Sequence, residues 1–65
     1  MLGTGDLVEL TVDKPEHNLS AGTQGIILAI KDGDVYEVDL EDNDGLTVTV
    51  TLNRNQFDVI MSFGA

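Results

Sequence analysis

Cysteine is absent from this chain and histidine occurs once, at His17. Without thiols there can be no disulfide and no thiolate metal centre, and one imidazole cannot build a histidine zinc site. Tryptophan is also absent, and Tyr36, Phe57 and Phe63 are the only aromatic residues. Proline appears once, at Pro15. Basic residues are as scarce: Lys14, Lys31 and Arg54 stand against 12 acids, for a net charge of −9. Nucleic-acid binding rests on lysines and arginines that displace counterions from phosphates, so three scattered cations exclude a basic stripe. The same charge repels anionic membranes. No apolar run approaches the roughly 18 residues of a membrane span. No basic region followed by an apolar run marks a signal peptide at the N-terminus, so a cytoplasmic protein is expected.

What remains is a chain of 65 residues, 42% hydrophobic, rich in Val, Ile, Leu, Thr and Gly. That length allows one domain, residues 1–65, with a small core. The balance of residue types favours strands and turns over helices. Punctuation falls at short intervals, as in a small all-β protein. "GDLVELTV" is the first strand, with Leu7 or Val8, then Leu10 and Val12, as core candidates. "DKPEHNLSAG" is a loop, because Pro15 lacks a backbone donor and its neighbours are polar. "TQGIILAI" is the most continuously apolar stretch, read either as a strand buried on both faces or as a bent strand. "KDGD" is a turn centred on Asp32 and Gly33. "NRNQF" reads as a single helical turn, and "DVIM" as a short closing strand in which Val59 or Ile60 completes the core. Phe63, beyond it, either covers one end of the fold or joins a subunit contact.

The clearest patterns are "VYEVDLED" and "LTVTVTL". Tyr36, Val38 and Leu40 alternate with Glu37, Asp39 and Glu41, and Leu46, Val48, Val50 and Leu52 alternate with Thr47, Thr49 and Thr51. Residues opposite one another in a hairpin share a face, so the acids must face the threonines. Pairing Asn43 with Leu46 would set Glu41 against Val48 and bury a carboxylate or expose a valine at each step. Pairing Asp42 with Leu46 sets Glu41, Asp39 and Glu37 opposite Thr47, Thr49 and Thr51. It leaves Asn43-Asp44-Gly45 as a three-residue loop with glycine in the left-handed position. The predicted result is an exposed acidic row, Glu37, Asp39 and Glu41, spaced about 6.7 Å apart. Asp42 and Asp44 fall near the hairpin tip.

Several chemistries can be weighed against these residues. An EF-hand loop aligned on Gly45 gains Asp42 and Asp44 but places Leu40 and Thr51 at its first and last ligand positions, so it fails as a calcium motif. "GTQG" precedes a strand and not a helix N-terminus, which separates it from phosphate-binding loops. His17, beside Glu16 and near Asp13, lacks an accompanying nucleophile, and a row of acids on one flat strand does not flank a glycosidic bond. No enzyme, no resident metal and no cofactor are expected.

The order of elements resembles a small SH3-like barrel, and "GTQGII" is similar to the glycine-centred motif of KOW-type domains. A closer resemblance is to an uncharacterised family of short bacterial SH3-like proteins known only as a domain of unknown function. Asp6, Val8 and Leu10 match its "D-x-V-x-L" element. Asp13, Pro15, Glu16 and Leu19 match its "D-x-P-E-x-G-L" loop, Gly22 and Gly25 its "G-x-x-G-x-V" turn, and Tyr36 to Leu40 its "Y-E-V-E-F" segment. The resemblance spans about residues 5 to 60. Asn18 stands where the family has glycine; Asn tolerates the left-handed conformation, so the loop shape should survive. Ile27 stands where valine is usual. The resemblance implies an all-β, SH3-like, five-stranded antiparallel barrel with one short helical turn before the last strand. Some relatives are encoded beside toxins, which implies antitoxin-like or immunity roles, and SH3-like barrels use the loop after the first strand for contacts.

The expected function is a non-catalytic, acidic protein-binding module, an antitoxin, inhibitor or accessory subunit that meets a basic protein. The expected contact residues are Glu37, Asp39, Glu41, Asp42 and Asp44, then Pro15, Glu16, His17 and Asn18. Calcium binding is the alternative. Nucleic-acid mimicry and KOW-like nucleic-acid binding rank below it, the latter with only Tyr36, Phe57 and Phe63 for stacking.

Overall fold

The computed structural model of the chain describes residues 2–63. It is all-β, with five antiparallel strands: β1 (Leu7–Leu10), β2 (Gln24–Ile30), β3 (Val35–Glu41), β4 (Thr47–Asn53) and β5 (Phe57–Met61). The sheet order is β4-β3-β2-β1-β5. Two 3-10 turns interrupt the strands. One, Arg54–Gln56, is the helical turn expected before β5; the other, Pro15–His17, lies inside the proline loop. Proline suits its first position because the missing N–H would have had no partner there.

The β3–β4 hairpin follows the threonine register. Glu37 pairs with Thr51, Asp39 with Thr49 and Glu41 with Thr47. The Asp42 amide donates to the Leu46 carbonyl at 2.7 Å, and Gly45 takes φ +83° at the turn. Alternation thereby commits Tyr36, Val38, Leu40, Val50 and Leu52 to the inside. They join Val8, Leu10, Leu19, Ile27 and Phe57 in one buried cluster. The Tyr36 and Phe57 rings meet edge to face, 5.3 Å apart. They belong to β3 and β5, which are separated in the sheet by β2 and β1, so the sheet must curl until its concave face closes on itself. No ladder joins β4 to β5 among the described residues.

Gly25 enables the curl. It lies between Val8 and Leu40 in the sheet and is buried. A Cβ there would collide with the Asp39 carbonyl oxygen and approach Leu40 Cδ2 to 2.6 Å. A second constraint is Asp6, whose side chain is fully buried immediately before β1. Its carboxylate accepts hydrogen bonds from the Gly3 amide (2.7 Å), the Ser62 hydroxyl (3.1 Å) and the Phe63 amide (2.8 Å). A buried carboxylate survives only when so supplied with donors, and here those donors bind the segment before β1 to the segment after β5.

Some core expectations are corrected. Val12, Leu46 and Ile60 are exposed. Val12 falls after β1 has ended and Leu46 overhangs the sheet at the hairpin tip, while Ile60 lies where the β1–β5 register shifts. Val59 is the residue that closes the core. Phe63 is 67% exposed, so its ring does not cover the end of the fold. Tyr36 and Phe57 are buried, leaving neither face open for stacking on bases. Gly64 and Ala65, the end of the apolar tail, lie outside the described residues.

Replacing Gly25 by Ala should destabilise the protein by about 2–4 kcal/mol, because the obstacle is backbone and cannot rotate away. Thermal unfolding followed by circular dichroism should show Tm falling by roughly 10–20 °C. An unchanged Tm would mean that β2 and β3 can separate without cost. Asp6→Ala, which strands three donors, should lower stability by a similar amount, about 2–4 kcal/mol, in the same measurement.

Candidate functional site

The sheet's convex face carries the acidic row. Strand β3 turns Glu37, Asp39 and Glu41 outward because its other alternate residues are in the core. Their environments differ. Glu37 lies 3.6 Å from Lys31 Nζ in an exposed ion pair. Such a pair contributes little to stability and is easily exchanged for another partner. The Asp39 carboxylate accepts a 2.7 Å hydrogen bond from Thr49 Oγ1, its cross-strand neighbour. Glu41 is exposed and makes no ion pair or side-chain hydrogen bond among the described residues.

Asp42 and Asp44 have structural duties. Asp42 Oδ1 accepts the amides of Asp44 and Leu46, both at 2.9 Å, which shapes the turn. Asp44 Oδ2 accepts the side-chain amide of Asn18 at 2.9 Å. The Asn43 amide donates to the Asn18 carbonyl at 3.0 Å, and Asn43 Nδ2 reaches Ser20 Oγ at 3.1 Å. The proline loop is thus docked on the hairpin tip. Two surfaces expected separately from the sequence form one continuous surface, with Asn18 as the joint. Asn18 itself is left-handed, φ 59°, a conformation that asparagine tolerates better than most residues. Within the loop, Pro15, Glu16 and His17 are exposed, and Glu16 sits 4.0 Å from Lys14.

Further acids extend the row across the sheet. Glu9 pairs with Asp58 on β5 and with Gln24 on β2, so Glu9 and Asp58 face outward with the β3 acids. Sequence reading missed this extension because "LVEL" and "FDVI" each carry a single acid, and only the register brings them together. Against this face the cations are few and engaged: Lys14 and Lys31 are in ion pairs, and Arg54 Nη1 donates to the Phe57 carbonyl at 2.8 Å with its guanidinium 5.0 Å from that ring's centre. No group of three or more metal-ligating side chains converges among the described residues. No helix among them is long and apolar enough to cross a membrane.

Residues 5–59 match the model of the family described as a domain of unknown function, DUF4926, and the chain belongs to that family. No curated protein and no solved structure matches it.

The joint can be tested on its own. Asn18→Ala loses both the left-handed tolerance and the bond to Asp44, and should cost about 1–2 kcal/mol. Asn18→Gly keeps the backbone freedom and should cost less than half as much. Urea midpoints of the two variants against wild type would check this; equal losses would assign the whole effect to the amide.

Proposed function

We propose that this member of the DUF4926 family is a small, acidic, non-catalytic binding module that engages a basic protein surface through the outer face of β3 and the adjoining loop. The observation that carries this reading is the continuity of the surface. Glu37, Asp39 and Glu41 run along the strand toward the hairpin tip, where Asp44 and Asn18 connect them to Pro15, Glu16 and His17. Regular carboxylates on a rigid strand suit fast, salt-sensitive association with lysines and arginines. The strand order, the curl that brings Tyr36 onto Phe57 and the 3-10 turn before β5 support an SH3-like barrel of the bacterial kind, in which the loop after β1 is a contact element. Action as a cytoplasmic antitoxin, inhibitor or accessory subunit would place this acidic face against a basic partner.

Direct nucleic-acid binding is disfavoured by three cations that are already engaged and two aromatic rings that are buried. Calcium gives way because Asp42 and Asp44 spend their carboxylates on the turn and on Asn18.

The test is a pull-down from the host's lysate at low salt, comparing wild type with a variant carrying Glu37→Gln, Asp39→Asn and Glu41→Gln. These changes lie on the outer face, outside the core, and are nearly isosteric, so circular dichroism should be unchanged. A basic protein retained by the wild type and lost by the variant is expected, with retention falling as sodium chloride rises. Equal capture by both baits would move the interface away from the acidic row, and no capture by either would leave the acids as a solubility device.

A further inference from the structure

The convex face is not only acidic. Along the row that crosses the sheet through Ile26, the paired neighbours are Met61, Leu7, Ile26, Asp39 and Thr49, one from each strand. Three of the five are aliphatic. The next outward residue on β2, Leu28, is the extra residue of a bulge: Ile27 pairs with Val38 and Ala29 with Glu37, leaving Leu28 unpaired between them. Leu7, Ile26 and Leu28 floor a shallow groove that Asp39, Glu41, Gln24 and Thr47 edge. Ile26, Leu28 and Met61 are 46%, 43% and 52% exposed, on the central strand and one edge strand of a sheet whose opposite face holds the core. Contiguous aliphatic exposure of this sort in a small domain marks a contact surface more often than isolated exposed residues do.

Charge selects the occupant. Glu9, Asp39, Glu41 and Asp58 face outward in the same rows as the aliphatic groups or the adjacent ones, and the basic side chains of the chain are engaged elsewhere, Lys31 with Glu37, Lys14 with Glu16 and Arg54 with the Phe57 carbonyl. A second copy of the chain would bring the same acids against these, within a net charge of −9 on each copy. Like charges juxtaposed in a closing interface oppose association. A partner that is purely cationic would leave the aliphatic floor uncovered.

We propose that this groove is the anchor of the interface, and that it takes a cationic segment in which an aliphatic or aromatic side chain alternates with Lys or Arg. The apolar side chain seats on Leu7, Ile26 and Leu28, and the flanking cations reach Asp39, Glu41 and Glu9. This inference rests on the acidic-face reading above and adds the apolar determinant. The two contributions respond differently to salt: the ionic part weakens as the Debye length shortens, and the apolar part persists.

Two synthetic peptides of equal length and charge serve as probes, one alternating Lys with Ile and one alternating Lys with Ser, each titrated into the whole protein by calorimetry. Wild type should bind the Lys–Ile peptide at least about tenfold more tightly, and the ratio should hold as sodium chloride weakens both. The double variant Ile26→Thr, Leu28→Thr keeps strand-compatible side chains at exposed positions and should bring the ratio close to one. The wild-type ratio needs no variant, so misfolding of the double variant cannot obscure the answer. Equal affinities of wild type for both peptides would overturn the anchor and leave the acidic-face reading standing. No binding of either peptide would overturn both. A concentration-dependent dimer in sedimentation, abolished by Ile26→Thr, would overturn the anchor in favour of self-association.

Discussion

The approach of β3 to β2 at Gly25 is the constraint on which the rest of the fold depends. At that point the Asp39 carbonyl and the Leu40 side chain occupy the space where a Cβ would stand. A sheet of five short strands has too little apolar area to pack a second layer, so its stability requires that one face fold over on itself. The missing side chain permits this, and the contact of Tyr36 with Phe57 shows how far the curl has gone. Asp6 completes the closure from the other side by holding the segments that flank β1 and β5. Both devices use polar or absent side chains where a larger core would have used volume.

Once the concave face is committed to the core, the convex face receives every alternate residue that remains. On β3 and β4 those are mostly carboxylates and threonines; on β2 Ile26 and Leu28 follow Gln24. The same constraint therefore builds the candidate site. Gly25 fixes Leu40 beside it, which places Asp39 against Ile26 one step along and sets an acid next to an aliphatic group in the surface. The bulge at Leu28 then widens the aliphatic strip without shifting the core pairing of Ile27 with Val38. Bulges tend to re-aim side chains near functional surfaces, and this one adds Leu28 to the groove.

The β3–β4 hairpin was legible in the sequence down to its register, since threonines opposite acids and apolar residues opposite apolar residues satisfy only one alignment. The left-handed Asn18 was expected from the family resemblance and not from its neighbours in the chain, and asparagine is among the few residues that tolerate that conformation. The apolar run "TQGIILAI" was not legible. A continuous run contains no period, so it cannot say which of its residues face the core, and the answer depends on the neighbours of β2. Docking of the proline loop on the hairpin tip was equally hidden. Asn18 and Asp44 lie 26 residues apart, and nothing local to either foretells the bond. Leu46 was misplaced for a related reason: it keeps the phase of the strand pattern but lies just outside the strand, where phase no longer implies burial.

The acids on the convex face and the aliphatic groups among them bear on each other. A small curled sheet with Ile26, Leu28 and Met61 exposed invites association with its own copies, and carboxylates in the same rows oppose that association while leaving room for a partner of opposite charge. If the proposed partner exists, the same carboxylates serve solubility and recognition together under a net charge of −9. Neutralising Glu37, Asp39 and Glu41 would then have two consequences from a single cause. Affinity for a basic partner would fall, and the protein's own tendency to associate through the exposed aliphatic strip would rise.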